Sequence, residues 1–325
     1  MIITKTPLRL SLFGGGTDLP EFYTRRPGAV VSFAINKYIY VSVNEKFDGR
    51  TRVSYSKTED VDEPWKLEHD LARETMGYYG LKGLEITSVS DIPGEGSGLG
   101  SSSAFTVGLV TALMHKLRGD IKTHPSYYAQ MAYDIERNGC DHSVGKQDHY
   151  AAAFGGLHYY QFNPDGSVNA ELIHLTEKLR HFLEGNVMLF WTGRTRKADT
   201  ILKEQADRLA KKETIAYGEF LAGYAQEARN LLEDGKFDKI GLLMDWAWKY
   251  KKELTNVSDE EIDMIYSRAK LSGALGGKIC GAGGGGFLML IADPVDQSAI
   301  ENAVGLRRVR FCIEECGSRV IYNDK

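Results

Sequence analysis

Residues 93–104 read P-G-E-G-S-G-L-G-S-S-S-A, and these residue types suit one kind of chemistry, the holding of an anion. Glycine takes the positive-φ turns that aim successive backbone N–H groups at one point. Ser101, Ser102 and Ser103 stand where N-cap and first-turn residues belong, ahead of an apolar run over 104–117 that reads as a buried helix. The unpaired N–H groups and dipole of that helix point the same way as the loop. Gly94, Gly96, Gly98, Leu99, Gly100 and the three serines are therefore expected to cradle phosphate. No Gly-Lys-Ser/Thr follows, so the loop is not a Walker A. It also fails G-x-G-x-x-G in every register, which sets aside the dinucleotide and protein-kinase loops.

Two further glycine clusters lie elsewhere. Residues 6–18, T-P-L-R-L-S-L-F-G-G-G-T-D, are an alternating apolar run that stops at three glycines. Residues 278–287, K-I-C-G-A-G-G-G-G-F, lead into F-L-M-L-I-A, which reads as a buried strand. Between them, 28–43 and 84–90 read as strands from their β-branched and aromatic content. A second helix is expected from 126 to about 137, and strand character returns over 154–162. A new block opens with a strand at 187–191 and a T-G-R-T-R-K segment. Helical sequence with Lys/Glu pairs then runs from 199 to about 270. The end is expected to be β-rich, with strands at 307–314 and 318–322. Strands and helices without strict alternation predict an α+β fold.

A chain of 325 residues is long enough for two domains, and 42% hydrophobic with 26% charged residues is the balance of a soluble globular protein. A formal net charge of −4 without a long Lys/Arg run gives no electrostatic support for nucleic acid or an anionic membrane as partner. No apolar stretch approaches the roughly 18 residues of a membrane span, and the N-terminus lacks a signal-peptide core. Cys140, Cys280, Cys312 and Cys316 lack zinc-site spacing and read as reduced thiols, so a cytoplasmic protein is expected. Trp246, Trp248 and Tyr250 read as core, and no residue is assigned to adenine, Trp65 and Tyr55 being the aromatics considered.

In this order and with these sequences, the three glycine clusters resemble the three signature motifs of the GHMP kinases. That superfamily of small-molecule kinases includes galactokinase and the homoserine, mevalonate and phosphomevalonate kinases. The resemblance runs from residue 5 to residue 287. It implies a two-domain α+β fold, here 1–185 and 186–325, with the active site in the cleft between the domains. It also implies ATP and Mg²⁺ as cofactors and an alcohol as phosphoryl acceptor.

Carried over residue by residue, the family's catalytic Asp falls on Asp148 in G-K-Q-D-H, and a basic residue of its first motif falls on Arg9. A fixed guanidinium there is expected to pair with Asp148 and favour the developing alkoxide. The metal pattern falls on Glu136 and Ser102, with Asp134 the nearest competitor. Galactokinase carries Glu and His at the positions of Gly15 and Gly16. Two glycines here are expected to open space for a differently shaped acceptor, while Thr17 and Asp18 complete the substrate loop and Asp18 accepts from sugar hydroxyls.

The G-G-G-T-D form resembles the branch that phosphorylates D-glycero-D-manno-heptose 7-phosphate at the anomeric hydroxyl. A phosphorylated acceptor needs a second anion site, for which Arg194, Arg196 and Lys197 are candidates and Arg25 and Arg26 weaker rivals. Gly283 and Gly284 are expected to approach the substrate or the phosphate loop. The partners are then a sugar phosphate and ATP. The alternatives are a kinase for another sugar, such as fucose or a uronic acid, and a catalytically silent sugar-nucleotide sensor.

Overall fold

β1 (Ile2–Phe13) is buried along nearly its whole length, because helices cover it as well as neighbouring strands. The computed structural model describes residues 1–94, 96–119, 123–195, 198–211 and 214–324. After β1 come a short turn of helix, α1 (Pro20–Tyr23), and the long β2 (Gly28–Glu45). β3 (Thr51–Ser54), β4 (Thr58–Val61), α2 (Asp70–Tyr79) and β5 (Leu84–Ser90) follow. Next are α3 (Ser101–Arg118), α4 (Pro125–Asp134), a π-turn at Ile135–Gly139 and α5 (Gln147–Phe154). β6 (Leu157–Phe162), β7 (Val168–Leu172) and α6 (Glu177–Asn186) complete the first half. The second half runs β8 (Val187–Trp191), α7 (Ala198–Leu209), α8 (Ile215–Glu233), α9 (Ile240–Leu254) and α10 (Glu260–Leu271). β9 (Gly276–Ile279), β10 (Phe287–Ile291), α11 (Gln297–Val304), β11 (Arg307–Arg308) and β12 (Arg319–Asn323) end the described chain.

The strands form two sheets. The larger runs β12-β1-β2-β5-β3-β4, with β6 also pairing β2 and β7 pairing β6. The smaller runs β11-β8-β10-β9. α3 and α8 both pack on β1 and β2, and one apolar core joins Val107 of α3 to residues of both sheets, among them Leu10, Leu189 and Phe287. The fold is α+β, as the sequence predicts. We keep 1–185 and 186–325 as the proposed division, with one strand crossing it: β12 pairs antiparallel with β1, Ile2 opposite Asn323.

The structure departs from the sequence reading in four places. The helix expected at 104–117 begins at Ser101, because Gly100 takes the left-handed cap (φ 79°) and the serines become the first turn. The helix expected to reach 137 ends at Asp134 and widens into the π-turn. Residue 154 still belongs to α5, and β6 starts only at Leu157. The β-rich end contains a helix, α11, and the strand expected at 307–314 shrinks to Arg307–Arg308 plus a lone bridge between Ile35 and Ile313. Trp248 is core as expected, whereas Trp246 is largely exposed.

Candidate active site

Arg9, on β1, is 2% exposed and holds Asp148 with both arms of its guanidinium. Nε donates to Oδ1 at 2.7 Å and Nη2 to Oδ2 at 2.7 Å, while Nη1 donates to the carbonyl of Gly98 at 2.7 Å. This fork geometry fixes a carboxylate in plane as a lysine cannot. Asp148 sits in the first turn of α5 and remains partly open to solvent. The phosphate loop abuts it, since a Cβ on Gly100 would lie 3.3 Å from Asp148 Oδ2.

Two strands brace the loop. The backbone N–H of Arg9 donates to Leu99 O at 3.1 Å, and that of Phe287, at the start of β10, donates to Ser97 O at 3.2 Å. Ser97 and Ser101 share a hydroxyl hydrogen bond of 3.0 Å. The third glycine cluster packs backbone to backbone on the loop, Gly281 against Gly98 and Gly286 against Ser97. Gly283 and Gly284 face the other way: Gly284 N–H donates to Val257 O at 2.7 Å, and a Cβ on Gly283 would strike Val257. Gly94 stands in open space, Ser102 is exposed, and Ser101 and Ser103 are buried at the N-terminus of α3.

Glu136 lies in the π-turn and is 1% exposed. π-turns inside helices often mark functional positions. Its Oε2 accepts from Ser103 Oγ at 3.1 Å and is bonded to His149 Nε2 at 2.7 Å, and His142 Nδ1 stands 3.7 Å from Oε1. Burial alone would raise its pKa, but the nearby His142 and His149 imidazoles and the Ser102 hydroxyl outweigh burial and hold the carboxyl well below the usual range. His142 is in turn hydrogen-bonded to Asp70 at 2.9 Å, and the carboxylates of Asp70 and Glu136 push it up to about 10. The sequence reading missed both histidines, because nothing in their spacing marks them. An ionised carboxylate beside the Ser102 hydroxyl, at the positive end of α3, is a hard oxygen pair that fits Mg²⁺. Among the described residues no group of three or more acidic, His or Cys side chains could cage a metal, so most of its shell would come from phosphate and water.

In the first glycine loop, Thr17 is fully buried and donates to Gly14 O and Ala29 O at 2.9 and 3.0 Å. Asp18 is 2% exposed and already accepts from Gly16 N, Gln147 N and Gln147 Nε2 at 2.9, 3.1 and 3.2 Å. Its carboxylate thus locks the glycine loop to the start of α5, and burial, then the charge of Asp148, raises its pKa. The space expected beside Gly16 is not open, since the side chain of Gln205 from α7 fills it. Arg194 is paired with Asp259 at 2.9 Å and Glu261 at 3.1 Å, and its backbone carbonyl accepts from Gly286 N at 2.9 Å. Arg196 and Lys197 lie outside the described residues. Of the weaker rivals, Arg25 donates to the carbonyls of Leu209 and Ala210 and Arg26 pairs with Glu219.

Two buried cations escaped the sequence reading. Lys278 of β9 donates to Leu12 O at 3.2 Å, linking the small sheet to β1, and Lys251 of α9 donates to Gly281 O at 3.2 Å. Neither has a carboxylate partner within salt-bridge distance among the described residues. Burial pushes Lys278 down to about 7 and Lys251 to about 8, from an ordinary 10.5. Below pH 7 both the folded and the unfolded Lys278 carry the proton, and the cost of burying the charge is complete. Between pH 7 and 10.5 only the unfolded chain holds it, so this group makes stability rise with pH. Melting curves from about pH 6 to pH 10 should therefore rise less steeply for Lys278→Met than for wild type, with the variant the more stable at neutral pH. Parallel curves would rule out a buried, proton-losing Lys278.

A glycine loop at a helix N-terminus, a clamped carboxylate and two buried lysines meet between the two sheets, an arrangement of the kind that phosphoryl transfer needs. Residues 66–156 match the GHMP kinases N terminal domain and residues 228–308 the GHMP kinases C terminal domain, and the chain belongs to the GHMP kinases. It is 29% identical over 310 residues to the D-glycero-alpha-D-manno-heptose 7-phosphate kinase of Campylobacter jejuni, covering 91% of each chain. It is 27% identical over 307 residues to the mevalonate kinase of Saccharolobus solfataricus, covering 90% of each. Its fold is that of a D-glycero-D-manno-heptose 1-phosphate kinase from Bacteroides thetaiotaomicron, with a TM-score of 0.81, 24% identity and 100% of both chains covered. No helix among the described residues is long and apolar enough to cross a membrane.

Proposed function

We propose that this kinase transfers the γ-phosphoryl group of ATP to the anomeric hydroxyl of D-glycero-D-manno-heptose 7-phosphate. The observation that carries the chemistry is the two-armed Arg9–Asp148 pair set against Gly98 and Gly100 of the phosphate loop. The acceptor hydroxyl gives its proton to Asp148 as its oxygen attacks phosphorus, and Arg9 holds the carboxylate in line and stabilises the alkoxide. Backbone N–H groups from residues 96–100 and the first turn of α3 take the nucleotide phosphates. Lys251, bonded to the carbonyl of Gly281, adds positive charge nearby. Glu136 and Ser102 would hold Mg²⁺, which supplies charge neutralisation at the transferring phosphate. The similarity to the Campylobacter jejuni enzyme over nearly the full length supports the heptose phosphate. For its distal phosphate we keep the segment 192–199, where Arg194 would exchange its carboxylate partners for the ligand.

The test is ADP release with Mg-ATP against heptose 7-phosphate, free heptose, mannose 6-phosphate, fucose, galactose and mevalonate. Selective turnover of heptose 7-phosphate is the expected result. Turnover of an unphosphorylated sugar alone would keep the mechanism and overturn the distal phosphate site. Silence on every acceptor would overturn the sugar-kinase reading and favour a sensor.

A further inference from the structure

Four buried polar atoms around Gly15 and Gly16 have no partner in the protein. Gln205, on α7, is fully buried, yet neither its Nε2 nor its Oε1 meets a hydrogen-bonding group. Its amide lies on the backbone of Gly16, where φ is +105° and an added Cβ would fall 1.8 Å from Nε2. Gln147 Oε1 and Ser11 Oγ are also unpartnered, and both lie within 3.8 Å of where a Cβ on Gly15 would stand. Folded proteins satisfy nearly all such atoms, so a cluster left open by three separate elements at one glycine pair is a site lacking its ligand.

We propose that Gln205, with Gln147 and Ser11, forms an uncharged subsite that reads a pair of hydroxyls on the phosphoryl acceptor, an inference that rests on the sugar-kinase function above. The chemistry selects the ligand. A hydroxyl both donates and accepts, which matches the two ends of the Gln205 amide and the Ser11 hydroxyl. A carboxylate or phosphate would meet the carbonyl oxygens of both glutamines, and an alkyl group would leave all four atoms unpaired. Gln147 Nε2 is spent on Asp18 at 3.2 Å, so its carbonyl oxygen is the end that faces the ligand. Ser11 stands two residues after Arg9 on the same face of β1, so a hydroxyl bound there lies on the side of the strand that carries the Arg9–Asp148 pair. The glycines at 15 and 16 thus serve to admit amides from α5 and α7 rather than to leave a void. Gln205 is a specificity-determining residue of this kinase.

Gln205→Met keeps the length of the side chain and removes both polar atoms. With the sugar that wild type turns over, the acceptor KM should rise about tenfold or more while the KM for ATP stays within about twofold. The unliganded variant should melt no lower than wild type, because an unpaired buried amide has gone. A glutamine with a merely structural role would give the reverse, a lower melting temperature and an unchanged acceptor KM. Gln205→Glu, of equal size, serves if the Met variant does not fold. An unchanged acceptor KM in either folded variant overturns the subsite. If wild type turns over no sugar, the function proposed above fails, and thermal stabilisation by sugar decides the subsite instead. Stabilisation present in wild type and lost in the variant supports it, and no stabilisation in wild type overturns both.

Discussion

Asp148→Asn should lower kcat about a thousandfold, in the range that removal of a general base produces. The asparagine keeps an oxygen for one arm of Arg9 but sets an NH₂ against the other, donor facing donor. Arg9 is 2% exposed and would then be a buried cation with half its partner. A drop in stability of about 3 kcal/mol is therefore expected beside the kinetic loss, moderated by the partial exposure of Asp148. The two effects separate cleanly. The folded variant should still be stabilised by Mg-ATP in a thermal-shift assay, because the loop and α3 are untouched, while single-turnover kinetics show the chemical step slowed. A kcat within tenfold of wild type would remove Asp148 from the role of base and leave it a positioning group for Arg9.

Gly98→Ala should be the most damaging single methyl in the phosphate loop. Gly98 has φ +76°, which disfavours any L side chain by about 1–2 kcal/mol. Its new Cβ would also stand 2.4 Å from Cys280 O and 2.9 Å from Cys280 C, backbone atoms that no rotamer change can move aside. Gly281 faces the same contact from the other side, so neither chain can yield toward the other. Together the two penalties come to about 3–5 kcal/mol, a large share of the roughly 5–15 kcal/mol that holds a domain folded. The expected result is a lower denaturant midpoint with no stabilisation by ATP. Gly94→Ala is the control, since Gly94 has nothing within 4 Å and no positive φ. Wild-type stability and ATP response in Gly98→Ala would show that the loop and the third glycine cluster part more readily than their contact implies.

The parts of this site that could be read from the sequence are those whose demands are written in residue type. Glycine runs announce backbone that must turn or touch backbone, and all three clusters occupy such places. β5 and β8 were legible because short apolar β-branched runs bounded by turns have few other solutions. Arg9 and Asp148 were found through family resemblance, and the structure brings them together although nothing in either local sequence points to the other. His142 and His149 stayed hidden because a lone histidine has no periodicity, and only the fold shows them on Glu136. Gln205 is an unmarked polar residue in a polar helix, and Gly16 therefore read as empty space. Lys278 and Lys251 carry no mark in the sequence, since burial of a cation is a property of the packed molecule.

The pairing of β12 with β1 has a consequence for how the chain is made. Arg9 lies on β1, yet one edge of that strand, at Ile2 to Lys5, finds its partner only when residues 319–323 have been synthesised. Until then a buried-type strand presents unpaired N–H and C=O groups, an adhesive surface for any passing chain. The nascent chain must therefore carry the start of β1 with one edge open until β12 is made, and loss of residues 319–323 would strike expression and solubility before it struck chemistry.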